Sequence, residues 1–123
     1  MSEPRIATSA WWDPQTWAAA KDAYETERLA GGGPRSFIEW IHQAIELHAG
    51  RDPTGRAGLQ IPDRPVTSER DGLRRAHPLR AHTRELLEQA RAEDRELGRE
   101  LSVSGWIYEA VAATMARSRD RSR

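Results

Sequence analysis

The 123-residue chain has no cysteine. Disulfides and thiolate metal sites are thereby excluded, and zinc could be held only by histidine or carboxylate. Its four histidines, His42, His48, His77 and His82, form neither an H-x3-H nor an HExxH pattern. His42 and His48 stand six apart on one helical stretch, about 120° apart around its axis, so they cannot share a metal. There is no GxxxxGK[ST] loop and no GxSxG elbow, so catalysis has no foothold. Neither an enzyme, nor a cofactor, nor a bound metal is expected. No apolar run approaches the roughly 18 residues that a membrane span needs. No basic segment followed by an apolar stretch opens the chain, so a secretory leader is not expected. A reducing, cytoplasmic setting suits such a chain, with no membrane partner.

Charge of one sign is also lacking in the sum: 19 basic and 19 acidic residues give a net charge of zero. The distribution is uneven. Residues 1–50 carry 4 basic and 7 acidic groups, residues 51–84 carry 8 and 4, and residues 85–123 carry 7 and 8. Electrostatics acts through local potential more than through the total. A basic centre and a basic tail are therefore still able to meet phosphates. Mean hydropathy is low, at −0.80, yet five tryptophans and regular apolar spacing argue against disorder.

The segment Arg5–Trp12 (RIATSAWW) alternates weakly and reads as a short strand. Asp13-Pro14 is a helix start, an N-cap oxygen followed by proline at N1. That helix runs to the Gly31-Gly32-Gly33-Pro34 stop. Ser36 and Glu39 form an S-x-x-E capping box for a second helix, whose broad apolar face includes Phe37, Trp40, Ile41, Ala44 and Ile45, closed by Gly50. Residues 51–72 hold three prolines and three glycines and read as a linker. Leu73–His82 (LRRAHPLRAH) reads as an edge or irregular strand, because Pro78 cannot donate to a ladder. Thr83 can cap a third long helix, Gly98 closes it, and Ser102 opens a last one.

The two halves repeat. Ser36–Ile45 aligns with Ser102–Val111 at an offset of 66, sharing Ser, Trp, Ile and Ala. The preceding helices align less well, at an offset nearer 70, with Trp17 on Leu87, Ala20 on Ala90 and Lys21 on Arg91. The organisation expected is one repeat over 5–50, a linker over 51–72, a second repeat over 73–117, and a basic, solvated tail over 118–123. A two-helix unit of this size cannot bury enough surface alone. Two packed together can, with Trp40 and Trp106 as the largest contributors.

Strand, helix, glycine-bounded break and a Ser-initiated helix with I-x-x-A resemble ribbon-helix-helix DNA-binding proteins. The likeness covers about residues 5–50 and 73–117. The run AAAKDAYETERLAGGGPRSFIEWIHQAIELHAG is similar in particular to plasmid partition, ParB-type, centromere-binding proteins. The resemblance implies a mainly α fold: two strand-helix-helix repeats packed as an intrachain pseudo-dimer, their strands paired in one short antiparallel ribbon. It implies sequence-specific binding of double-stranded DNA, with the ribbon in the major groove. The role would be plasmid partition or transcription regulation of its own operon, with further association along repeated sites and a partition ATPase as a protein partner. The sequence departs from family ribbons in its single basic residue, Arg5, on strand one and in Pro78 on strand two.

A ribbon fits a groove about 12 Å wide, and every second side chain can reach base edges. If Ile6, Ala10 and Trp12 face inward, Arg5 and Ser9 face outward. If Leu79 and Ala81 face inward, Arg74, Arg80 and His82 face outward. These five are the candidate base contacts. The starts of the second helices expose backbone N–H groups, a phosphate site. Ser36 and Ser102, with Arg35 and Arg99 beside them, are the candidate phosphate contacts. The competing reading is a helical adaptor that binds no DNA and docks on a protein partner such as a partition ATPase or a toxin.

Overall fold

A computed structural model describes residues 3–121. Seven elements follow in order: β1 (Arg5–Trp12), α1 (Pro14–Leu29), α2 (Phe37–Ala49), α3 (Pro53–Ala57), β2 (Leu73–Arg80), α4 (Ala81–Glu96) and α5 (Val103–Arg121). The protein is mainly helical, with one two-stranded sheet. β1 and β2 pair antiparallel along their whole length, from Arg5 opposite Arg80 to Trp12 opposite Leu73. One further bond, from the Ala81 N–H to the Pro4 carbonyl at 3.2 Å, extends the pairing. Pro78 sits opposite Ala7. In a two-stranded ribbon each strand is an edge, so a missing N–H there is tolerated.

The ribbon is two-faced, as the period of 2 requires. Thr8, Ala10, Trp12, His77 and Leu79 are buried against the helices. Arg5, Ala7, Ser9, Arg74, Ala76 and Pro78 are exposed on the opposite face. Ile6 has the inward parity but is 43% exposed, because it lies near the ribbon's end. Beneath the ribbon, α2 packs on α4 and α5. Trp40 and Trp106, at 1% and 0% exposure, form its centre with Ile41, Ile45, Ile107 and Val111. Truncating either tryptophan to alanine costs about 3–5 kcal/mol.

The helix ends show where local chemistry governs. Asp13 caps α1 through Thr16 N–H at 2.8 Å, with Pro14 following. Ser36 Oγ accepts from Glu39 N–H at 3.3 Å. Only that half of the expected capping box forms, because the Glu39 carboxylate is taken by Arg80. Gly31 and Gly98, the only residues with positive φ among the described residues (87° and 85°), follow the C-termini of α1 and α4.

Several boundaries differ from the sequence reading. α4 starts at Ala81 with no side-chain cap. Thr83 is instead buried in its first turn and donates to Glu46 at 2.8 Å. The stretch 51–72 contains α3, capped by Asp52. α5 continues through Arg121, past the point where a solvated tail was expected. Residues 122–123 lie outside the described residues.

The correspondence between α1 and α4 also shifts. Both have 16 residues, and Pro14 matches Ala81 at an offset of 67, not 70. This offset superposes buried Thr16 on buried Thr83, Ala20 on Leu87, and Gly31 on Gly98. Matching the helix bounds and matching sequence identity thus differ by three residues, close to one helical turn, which leaves the apolar stripe nearly in phase.

Candidate nucleic-acid interface

The nine candidate residues do not gather at one place. Arg74 and Ser9 lie near each other on the outer ribbon face, with Arg74 Nη1 3.5 Å from Ser9 Oγ. Arg74 also lines a cleft of about 560 Å³ with Ser102, Ser104, Trp11, Arg64, Gly72 and the acidic Glu69. This cleft sits at the start of α5. Ser102 caps the helix through Gly105 N–H at 3.0 Å. Ser104 Oγ accepts from the Trp11 N–H at 2.8 Å and ties the helix start to the ribbon. The Arg64 guanidinium lies 5.4 Å from the centre of the Trp11 ring, a cation–π arrangement. Gly72 lets the Trp11 ring lie directly against its backbone: a Cβ there would stand 2.1 Å from the Trp11 indole nitrogen.

At the other end of the ribbon the geometry is different. Arg80 turns back onto α2, where Nη1 donates to both Glu39 oxygens at 2.8 and 2.9 Å and Nη2 to Glu46 at 3.2 Å. The hydrogen bond from Arg80 holds the Glu39 carboxyl below its ordinary pKa, and Arg80 itself is raised in turn. Arg5 joins the same group, 3.8 Å from Glu39, and donates to the Pro78 carbonyl at 3.3 Å. His42, fully buried, accepts the Arg80 backbone N–H at 2.9 Å through Nε2 and donates from Nδ1 to Ile38 O at 2.9 Å. Burial pushes its pKa down, which suits the neutral ring that this bonding requires. Arg5 and Arg80 thus fasten the ribbon to α2.

The remaining candidates are dispersed. His82 is not on a strand: it is the second residue of α4, exposed, with its backbone N–H donating to Glu3 at 2.6 Å. β2 stops at Arg80 because the helix begins at once. Arg35 is exposed before α2, where its carbonyl accepts the Tyr24 hydroxyl at 3.2 Å, and Ser36 is the α2 cap. Arg99 is taken up by acidic side chains: it is paired with Glu109 on α5 and lies 3.6 Å from Asp94.

Other features were not read from the sequence. Arg75 and Lys21 both lie over the Trp17 ring, at 5.3 and 5.2 Å. Trp11, on β1 opposite Arg74, carries Arg64 over its ring, and no periodicity marks an arginine in an irregular stretch. Arg56, in the expected linker, is 1% exposed and enters the core to pair with Asp94 at 3.0 Å. Proline and glycine around it concealed a buried residue.

Among the described residues no group of three or more His, Asp or Glu could hold a metal, and no helix is long and apolar enough to cross a membrane. Comparison with family models, with curated protein sequences and with solved structures finds no match for this chain.

Proposed function

We propose that the protein binds double-stranded DNA, laying the outer face of the β1–β2 ribbon in the major groove. In this reading its two strand-helix-helix halves are tandem ribbon-helix-helix copies that form a pseudo-dimer within one chain. The observation that carries the reading is the uncovered ribbon: Ala7, Ser9, Arg74, Ala76 and Pro78 are all exposed. Two strands about 4.8 Å apart are narrow enough for the groove. Arg74 and Ser9 are the base readers of this proposal. The α5 start, with Ser102, Ser104 and Arg64, is its phosphate site, where free N–H groups and the helix dipole favour an anion. Arg5 and Arg80 hold the ribbon's angle. The cellular role that fits is partition or repression, with the protein acting by binding alone.

The test is selection of duplexes from a randomised pool, followed by anisotropy titration. Affinity should fall steeply with salt, by close to one power of the salt concentration for each phosphate neutralised. Arg74→Ala should weaken the selected complex by about 1–3 kcal/mol at unchanged melting temperature. Failure to enrich any duplex refutes the proposal.

One observation favours a second reading, a protein-docking adaptor. The middle of the outer face is Ala7, Ala76 and Pro78, which offer bases little to bond, and two of its arginines are already neutralised by Glu39 and Glu46. An adaptor complex would be far less sensitive to salt than a DNA complex.

A further inference from the structure

The two halves treat one corresponding place differently. In the second half, Trp106 donates its indole N–H to Asp94 Oδ2 at 3.1 Å. The same carboxylate receives the Arg56 guanidinium at 3.0 and 3.2 Å. Arg56 also reaches the His48 and Ala49 carbonyls at 3.3 Å each, so its head is fully bonded.

In the first half the matching residues are Trp40 and Glu27. Trp40 is the fourth residue of α2 as Trp106 is of α5, and Glu27 is the fourteenth of α1 as Asp94 is of α4. Here the place is an open cleft of about 460 Å³, lined by Glu27, Gly33, Trp40, Gln43, Thr114 and Arg117 among others. Trp40 is 1% exposed, and its indole nitrogen is buried with no hydrogen-bond partner. A buried donor left unpaired is costly and calls for an explanation. Glu27 stands at the rim, where it accepts from Ser118 Oγ at 3.2 Å. Arg117 on the wall is no obstacle to a second guanidinium. Its counterpart at the α2/α5 offset, Arg51, coexists with Arg56, although burial first, then the Arg117 charge and then the Arg56 charge push the Arg51 pKa down.

We propose that this cleft takes the side chain of an arginine presented by a partner polypeptide. The guanidinium would meet the Glu27 carboxylate, and Glu27, one methylene longer than Asp94, would turn inward to accept the Trp40 N–H as well. Arg56 is the precedent within the same molecule for the carboxylate–tryptophan half of the contact: an arginine on a short Asp-capped turn, bonded to a carboxylate beside a buried tryptophan. The carbonyls that Arg56 also reaches are free because α2 ends at Ala49, whereas α5 runs on through Arg121, so in this cleft the Glu27 carboxylate carries the contact. The inference rests on the correspondence between the halves, not on DNA binding, since no ribbon residue lines the cleft.

The probe is a hexapeptide copying Asp52–Ala57, titrated into the full chain and followed by the tryptophan indole N–H resonances, with Trp40→Phe assigning the Trp40 signal. A saturable shift of the Trp40 indole is expected, with the Trp106 indole unmoved. The peptide carrying lysine instead of arginine, and the variant Glu27→Gln, should each bind at least about tenfold more weakly, the loss of one charge-assisted pair. DNA affinity of Glu27→Gln should be unchanged, which separates this proposal's failure from that of the DNA reading. Three results overturn it: no saturable shift below about 10 mM peptide, an equal response to an alanine-bearing peptide, or full affinity in Glu27→Gln. A shift that grows with protein concentration alone and is lost in Glu27→Gln would also overturn it, making the arginine-rich end of a second copy the occupant.

Discussion

Replacing Arg56 by alanine should unfold much of the molecule's margin of stability. Its guanidinium is the sole cation bonded directly to Asp94 among the described residues, and Asp94 is 0% exposed. It donates besides to Glu93 at 2.9 Å and to the carbonyls of His48, Ala49 and Arg51 at the end of α2. The substitution leaves a buried carboxylate with only the Trp106 N–H and the more distant Arg99 guanidinium for company. Breaking a buried pair on one side costs about 3–5 kcal/mol. For a domain whose whole stability is about 5–15 kcal/mol, that corresponds to a fall in melting temperature of roughly 10–20 °C. Urea unfolding followed by tryptophan fluorescence measures the loss directly. Asp94→Asn keeps an oxygen for Trp106, so the cycle Arg56→Met, Asp94→Asn and the double variant isolates the pair. A coupling of about 2 kcal/mol or more is expected. If Arg56→Ala costs less than about 1 kcal/mol, the value of an exposed pair, then α3 is a surface turn and the account of Arg56 is wrong.

Three other perturbations probe the ribbon. His77 is buried and its pKa is pushed down to about 4 by desolvation, so the unfolded chain takes a proton near pH 6.5 while the folded one does not. Stability should be complete above pH 6.5 and fall by up to about 3 kcal/mol as pH drops to 4. His77→Gln, which keeps an acceptor for the Trp12 N–H, should flatten that slope, and an unaltered slope would remove His77 as its source. Gly72→Ala should push the Trp11 ring off its place and destabilise by about 1–3 kcal/mol, seen as a displaced Trp11 indole resonance; an unmoved resonance contradicts the packing. Arg80→Ala should cost about 1 kcal/mol and return the Glu39 carboxyl toward its ordinary pKa, readable by carboxyl NMR, whereas a Glu39 titration that stays low would show that Arg80 does not hold it.

The helices were legible wherever a breaker and a cap coincided. Asp13-Pro14, Ser36 and the glycine run at 31–33 bracket α1 and α2 without tertiary information, and the 3–4 spacing from Trp40 and Trp106 names the core. The strands were legible as segments, and their alternation placed Ala10, Trp12 and Leu79 inward. The site was much less so. Alternation says which way a Cβ points; it does not say where a long guanidinium ends, and Arg80 reaches back to Glu39 and Glu46 across about forty residues of chain. His82 was misplaced because nothing in LRRAHPLRAH marks the junction where β2 passes directly into α4. Arg56 was missed because burial of an arginine depends on a carboxylate 38 residues away, and no local pattern records it.

Both strands of the ribbon belong to one polypeptide, so their pairing involves no encounter between molecules. It persists at any dilution, and its stability carries no concentration term. Sharing one chain also frees the two edges to diverge: one end of the ribbon is pinned by acidic residues, while the other presents Arg74 beside the Trp11 and Arg64 pair. Any target such a surface reads need not be an inverted repeat.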